Sequence, residues 1–271
     1  VQFLNHAPDL LDRLIAAALE AGRAILDART GKLSVEQKAD ASPVTIADRA
    51  AEEVILRHLA EIAPGIPVIA EESAAAGYLP EVAGEFFLVD PLDGTKEFVK
   101  GGADFTVNIG LVRDGRPALG VVYAPATGEL FAGEMGKGAF ASKVTRGVEG
   151  ERRKIHIRAC VGAVDVVASK SHRTPETDAY IARYEVGRLV AAGSSLKFCT
   201  IAEGAADLYP RMGTTMQWDT AAGDAVLRAA GGTVVTLDGK PLPYGPNGEP
   251  GSDAWRNPWF IAAGGIEPIP A

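Results

Sequence analysis

The sequence has 271 residues, 47% hydrophobic and 23% charged, with a net charge of −8. That is enough chain for one large core or two modest ones, and too acidic a balance to expect a nucleic-acid polymer as partner, since such polymers reward a basic surface. No apolar run reaches the ~20 residues that a membrane helix needs.

The opening stretch to Leu26 carries acids on a helical period, where a secretory leader would have a basic start and an unbroken apolar core. Leu10, Leu11, Leu14, Ile15, Ala18, Leu19, Gly22, Ile25 and Leu26 recur at three and four positions and predict an amphipathic helix over roughly residues 8 to 29. A second helix is expected near 45 to 63, with an apolar face of Ile46, Val54, Ile55, Leu59 and Ile62 and a stop at Pro64-Gly65. Strands follow. "FFLVD" is a short apolar run, and "FTVNIGLVRDGRPALGVVYAP" reads as a hairpin turning at Asp114-Gly115. "GELFAGEMGKGAFASK" continues the antiparallel pattern, and the charged stretch 143 to 154 reads as a hairpin tip or the approach to a boundary.

We place that boundary near 155, giving an α+β half over 1–155 and an α/β half over 156–271. In the second half strands and helices alternate: "VDVVASKSH", a helix from about 175, "RLVAAG", a helix opening at Ser194, "ADLYPR", a helix from about 219 to 230, "GTVVTLDG" and "WFIAAG". Residues 245 to 253 look like loose loop. The two cysteines, Cys160 and Cys199, lack metal-ligand spacing and read as reduced thiols, which favours a cytoplasmic location.

The chemistry is concentrated in "LVDPLDGTKEF". Asp90 and Asp93 stand three apart beyond an apolar strand, where ligands of α/β proteins gather. Thr95 opens a candidate helix whose amides suit phosphate. Glu71-Glu72-Ser73 follow another apolar run, "PVIA". Asp, Pro and Gly alone would make a solvated turn. Several carboxylates at strand ends without an interleaved cation, however, resist ionising together, and a divalent ion removes the conflict. Oxygen ligands from carboxylates, a backbone carbonyl such as Leu92 in the turn, and waters suit Mg²⁺ sharing its site with phosphate. Asp219 in "QWDTAAGDAVLRAAGG" is the best distant acid, although alone it reads equally as a helix N-cap. The aspartyl-phosphate motif D-x-D-G-T is excluded by the spacing D-x-x-D-G-T and by its position in the α+β half.

"VDPLDGTKEF", the preceding "EES" and the late "WDTAAGDAVLRAAGG" resemble the inositol monophosphatase-like family of Mg²⁺-dependent, lithium-sensitive phosphatases, over nearly the whole chain. Within it, "KADASPVTIADRAAEE", "FTVNIGLV", "LGVVYAP", "SKSH", "GSSLKFC" and "AEGAADLYPR" resemble the bacterial 3'(2'),5'-bisphosphate nucleotidase type. Inositol phosphatases typically have Thr-Asn where this chain has Lys96-Glu97. The resemblance implies a layered αβαβα sandwich with the site between the halves. It implies one Mg²⁺ on Glu71, Asp90 and the Leu92 carbonyl, a second on Asp90, Asp93 and Asp219, and a third, weaker ion at Glu71. Thr95, with Asp48 of "TIADR" and Glu71, would orient and deprotonate the attacking water. Asp93, Gly94, Thr95 and Asp219 would also face substrate.

His172, Ser194, Ser195, Lys197 and Arg211 match positions that in the nucleotidases surround the nucleoside and its 5'-phosphate. A Ser-capped helix start with Lys and Arg is also what a second, non-reacting phosphate needs. The expected partner is therefore a small bisphosphate nucleotide, with no obligate protein partner. The expected reaction is removal of the 3'-phosphate of adenosine 3',5'-bisphosphate, the clearance step of sulfate assimilation. Two alternatives stay open: an inositol or sugar phosphate monophosphatase on the same scaffold, and a non-catalytic nucleotide or metal sensor. Peripheral association with the inner membrane is a further alternative for location, with no basic amphipathic helix to support it.

Overall fold

The computed structural model describes residues 9–30, 35–37, 43–169 and 174–270. In chain order the first elements are α1 (Leu10–Thr30), β1 (Val35–Gln37), β2 (Pro43–Thr45), α2 (Ile46–Ile62), β3 (Val68–Ala70), α3 (Glu71–Ala75), β4 (Glu85–Asp93) and α4 (Thr95–Val99). A meander follows: β5 (Thr106–Arg113), β6 (Arg116–Ala124), β7 (Glu129–Glu134), β8 (Gly138–Thr145), β9 (Val148–Glu149) and β10 (Arg153–Ile155). The last group is β11 (Val164–Ser169), α5 (Pro175–Ile181), β12 (Val186–Ala192), α6 (Leu196–Ala202), β13 (Leu208–Arg211), α7 (Ala221–Ala229), β14 (Thr233–Thr236) and β15 (Phe260–Ala263).

β1 and β2 form a separate ribbon, and two larger sheets carry the fold. The first runs β10-β8-β7-β6-β5-β4-β3, with β9 paired to β8; it is antiparallel except for β3 beside β4. The second runs β12-β11-β13-β15-β14, parallel over its first three strands and antiparallel at β15. Both alternate apolar side chains between two covered faces, as the two-residue period of a strand requires. Phe87, Val89, Ile109 and Val121 face α1 and α2, while Phe86, Leu88 and Val122 join the opposite core with α6 and α7. In the second sheet Tyr209, Phe260 and Ala262 face that same α6–α7 layer, and Leu208, Ile261 and Ala263 face α5. The layers are therefore α, β, α, β, α.

α7 reaches the first sheet at backbone distance. A Cβ on Gly120 would lie 2.2 Å from the carbonyl oxygen of Ala222, and one on Gly110 would lie 2.8 Å from its nitrogen. Glycine on the sheet and Ala-Ala-Gly at the helix start are what such an approach needs. Asp114 and Gly115 both have positive φ, 49° and 71°, as a two-residue type I′ hairpin demands. Ile46 departs from the expected apolar face of α2: it is 58% exposed, and Ala47, Ala51, Ile55 and Leu59 make the buried stripe. Among the described residues no helix is long and apolar enough to cross a membrane.

Candidate active site

The acids converge because β4 carries a bulge. Asp90 pairs with Asn108 of β5, but Asp93 pairs with Thr106, so three steps on β4 match two on β5. In a regular strand residues three apart point to opposite faces; the extra residue returns Asp93 to the side of Asp90. Leu92 thus lies within an irregular strand rather than in a turn beyond it. Its carbonyl oxygen accepts from Thr95 Oγ1 at 3.1 Å, while its N–H donates to Asp90 Oδ1 at 3.0 Å. Gly94 then turns the chain with φ 95° into α4, where a Cβ would strike the Asp104 carbonyl oxygen at 2.8 Å.

Thr95, the first residue of α4, donates to Asp48 Oδ1 at 2.9 Å. The other oxygen of Asp48 accepts from Thr45 N at 2.8 Å and Thr45 Oγ1 at 2.7 Å, the capping box of α2. Burial pushes the Asp48 carboxyl up, against the pull of the Thr45 and Thr95 donors. Asp219 does not open α7. It ends a 3-10 turn, Gln217–Asp219, and its Oδ2 accepts from Met216 N at 2.8 Å, so the carboxylate folds back on its own turn.

A cavity of about 270 Å³ is lined by Glu71, Asp90, Leu92, Asp93, Gly94, Thr95 and Asp219, and by Ser194, Lys197 and Arg211. Ser195 is set one layer back: its Oγ donates to the Asp219 carbonyl at 2.7 Å, and it caps α6 with no side-chain bond. Ser194, with φ 41°, takes the strained left-handed position beside it. His172 lies outside the described residues.

Burial, and then the charges of Glu71, Asp93 and Asp219, hold the Asp90 carboxyl well above its usual range. Asp219 is raised likewise by burial, Asp93 and Glu71. Asp93 is raised by burial, an effect that the Lys197 charge and the Ser195 N–H offset in part. Lys197 is itself buried, and desolvation brings its ammonium down to about 8 despite Asp93 and Asp219 nearby. Its Nζ donates to the Ser194 carbonyl at 2.5 Å and lies over the Tyr209 ring at 5.4 Å.

Four carboxylates and a backbone carbonyl lining one cavity form an all-oxygen donor set of the kind hard divalent cations take. Their mutual opposition to ionising is what such an ion relieves. Among the described residues no three acidic, histidine or cysteine side chains already close as a metal cage. The donor chemistry fits Mg²⁺ in a site open on the cavity side.

Sequence reasoning missed Lys96, Gly193, Thr214 and Thr215, which also line the cavity. It missed two supports as well. Glu52 holds the start of α3, and its signal was available: it lies four residues after Asp48 on a predicted helix, on the same face. Asn257 Nδ2 donates to the Met216 carbonyl at 2.8 Å and to Thr220 Oγ1 at 3.1 Å, steadying the turn that aims Asp219. No local motif marks it.

The model of the inositol monophosphatase family matches residues 8–263. The 3'(2'),5'-bisphosphate nucleotidase CysQ of Shigella flexneri is 44% identical over 253 residues, covering 93% of this chain and 98% of that protein. The histidinol-phosphatase of Mycobacterium tuberculosis is 36% identical over 223 residues, covering 79% and 81%. Among solved structures, CysQ from Bacteroides thetaiotaomicron, described as a bacterial member of the inositol monophosphatase family, superposes with a TM-score of 0.77 at 38% identity, covering 95% of this chain and 99% of that one. With the layered fold, the bulged acidic strand and matches over nearly its full length, this chain belongs to the inositol monophosphatase family.

Proposed function

We propose that the chain is a Mg²⁺-dependent 3'(2'),5'-bisphosphate nucleotidase that removes the 3'-phosphate of adenosine 3',5'-bisphosphate, giving AMP and phosphate. The observation that carries this reading is the mixed charge of one cavity. Glu71, Asp90, Asp93 and Asp219 line it together with the cations Lys197 and Arg211. That combination suits a substrate with a reacting phosphate and a second anion. The full-length likeness to a bisphosphate nucleotidase supports it.

Glu71, Asp90 and the Leu92 carbonyl would hold one ion, Asp90, Asp93 and Asp219 a second, and Glu71 a third, weaker one. Bound Mg²⁺ supplies Lewis-acid stabilisation of the phosphoryl oxygens and eases deprotonation of water. The chain's own part is positioning and proton handling. Thr95 Oγ1 donates a hydrogen bond to Asp48 Oδ1 or the Leu92 carbonyl, which leaves its lone pairs to accept from the attacking water. As the water oxygen bonds to phosphorus its proton passes by way of Thr95 to Asp48, the bond to the ribose oxygen breaks on the opposite side, and that oxygen takes a proton from solvent water to leave as the hydroxyl. Backbone N–H groups at Gly94 and Thr95 face the phosphoryl charge. Lys197 and Arg211 hold the second phosphate by charge and hydrogen bonding. On this reading residues 1–155 with Asp219 do the chemistry, and residues 156–271 choose the substrate.

Phosphate release from adenosine 3',5'-bisphosphate and from inositol 1-phosphate, each with Mg²⁺ and with or without lithium, tests the proposal. Preference for the nucleotide with lithium inhibition supports both the acidic set and the two cations. Preference for inositol phosphate keeps the acidic set and discards the roles of Lys197 and Arg211. Nucleotide binding without turnover makes the chain a sensor.

A further inference from the structure

α3 begins at Glu71 but lacks a cap of its own, because the residue before it is Ala70, which has no side-chain acceptor. The first N–H groups of a helix have no partner within it and need one from elsewhere. Here Glu52 of α2 supplies it. Glu52 Oε2 accepts from Glu72 N at 2.8 Å, and Oε1 accepts from Ser73 N at 2.9 Å and Ser73 Oγ at 2.6 Å. The carboxylate is buried, which raises its pKa, while these three donors favour its charged form.

Glu52 stands one turn beyond Asp48, and Asp48 holds Thr95 at 2.9 Å. Residues four apart on a helix share a face. One face of α2 therefore grips both short helices of the site: α4 through Asp48 and α3 through Glu52. A carboxylate at the start of α3 is otherwise an expensive choice. Glu71 is close enough to oppose the charge of Glu52, so burial and like charge both work against it. A neutral residue in the same place would avoid that cost but would leave two N–H groups and a hydroxyl without their acceptor.

We propose that Glu52 is a positioning residue for the metal site: by capping α3 from α2, it fixes Glu71 in register with the Asp48–Thr95 pair. This rests on the reading of Glu71 as a Mg²⁺ ligand. Groups that orient a ligand from behind typically change metal affinity by about 10–100-fold when removed.

The test uses Glu52→Ala, Glu52→Gln and Ser73→Ala in the full chain, with Asp207→Asn as a control. Asp207 is a fully buried carboxylate bound to Arg158, with no place in the cavity. Mg²⁺ binding is measured by calorimetry without substrate. The Mg²⁺ concentration for half-maximal rate is measured separately from kcat at saturating Mg²⁺. Glu52→Ala should bind Mg²⁺ about 10–100-fold more weakly, with kcat at saturation close to wild type. Glu52→Gln, which keeps an acceptor oxygen, should recover part of the loss. Asp207→Asn should lower Tm and leave Mg²⁺ binding unchanged. If Glu52→Ala does not fold, Ser73→Ala, which removes only the 2.6 Å bond, carries the test with a smaller loss of affinity. Folded variants at Glu52 and Ser73 that bind Mg²⁺ like wild type overturn the proposal and leave the metal reading intact. A wild-type chain that binds no Mg²⁺ overturns the metal reading, and this inference with it.

Discussion

Thr95 Oγ1 lies 2.9 Å from Asp48 Oδ1 and 3.1 Å from the Leu92 carbonyl oxygen, so one hydroxyl proton has two acceptors and the pair joins α2 to the bulge of β4. If this pair receives the proton of the attacking water, removing the hydroxyl costs rate and not metal. Thr95→Ala is expected to lower kcat by about 10²–10⁴-fold, the usual worth of a positioned acid or base. Mg²⁺ affinity should stay near wild type, and Thr95→Ser should retain most of the rate. Single-turnover kinetics with a parallel Mg²⁺ titration separate the two; a Thr95→Ala enzyme with normal kcat ends the assignment.

Asp93→Asn removes one of several buried carboxylates whose charges oppose one another. Without Mg²⁺ the variant is expected to melt at or above the wild-type temperature, because like charge has been relieved. With Mg²⁺ the order should reverse. A ligand at ~100 times its Kd stabilises the native state by about 2.7 kcal/mol, and the variant should lose most of that gain together with turnover. Thermal melts with and without Mg²⁺ decide; an equal Mg²⁺-induced shift in both proteins removes Asp93 from the ligand set.

The acidic motif and the hairpin at Asp114-Gly115 were legible because each is written in local pattern, Asp-Pro-x-Asp-Gly and a turn dipeptide, whereas the layer order followed only from the resemblance to the inositol monophosphatase-like family. What converges the acids was not legible. The sequence suggested a turn for Leu92, whereas the bulge depends on the register between β4 and β5, a pairing that neither strand specifies alone. Asp219 was found as a residue but misread as a helix start, since its capping bond to Met216 N closes a 3-10 turn instead. Ser195 looked like an anion site from its place before a helix, and its hydroxyl is in fact used up on the Asp219 carbonyl. Gly120 was read only as part of a strand, because its partner Ala222 is distant in sequence.

Gly120→Ala follows from that contact. A methyl group 2.2 Å from the Ala222 carbonyl oxygen meets backbone, which cannot swing aside like a side chain. Overpacking of this kind typically costs about 1–3 kcal/mol, and a backbone clash belongs at or above the top of that range. Because Ala222 follows Asp219 by three residues, Mg²⁺ binding should weaken along with Tm. Denaturant unfolding and calorimetry check both; a stable Gly120→Ala with normal Mg²⁺ affinity would show that α7 is free to shift.

Asp224 gives the pH prediction. It is fully buried on α7, paired with Arg228 Nε at 2.6 Å and with the Tyr244 hydroxyl at 3.1 Å, and burial raises its pKa from 3.8 to about 6. The folded chain therefore favours the protonated form more than the unfolded chain does. The stability this contributes is fully present below about pH 4 and is lost as pH rises through about 6, a loss of about 3 kcal/mol at most. Asp224→Asn has no such titration. Any advantage of wild type at pH 5, where its carboxyl is mostly neutral, should narrow toward pH 8, because only wild type must then keep a buried charge. Parallel urea titrations across that range test the sign; a gap that widens with pH contradicts it.

Lys197 separates the roles of the two phosphates. It is buried beside Asp93 and Asp219, and its bond to the Ser194 carbonyl uses one of three ammonium protons, which leaves further donors for an anion. If it holds the non-reacting phosphate, Lys197→Ala should raise KM for adenosine 3',5'-bisphosphate by about 10–100-fold, the worth of a charge-assisted hydrogen bond of about 1.5–3 kcal/mol. The rate on a monophosphate such as inositol 1-phosphate has no second anion to lose and should change much less. The same substitution also strips a positive neighbour from Asp93, which would act on Mg²⁺ affinity and so on both substrates alike. Assays at saturating Mg²⁺ remove that second effect. A loss that remains equal for the two substrates under those conditions places the second phosphate elsewhere, with Arg211 the next group to test.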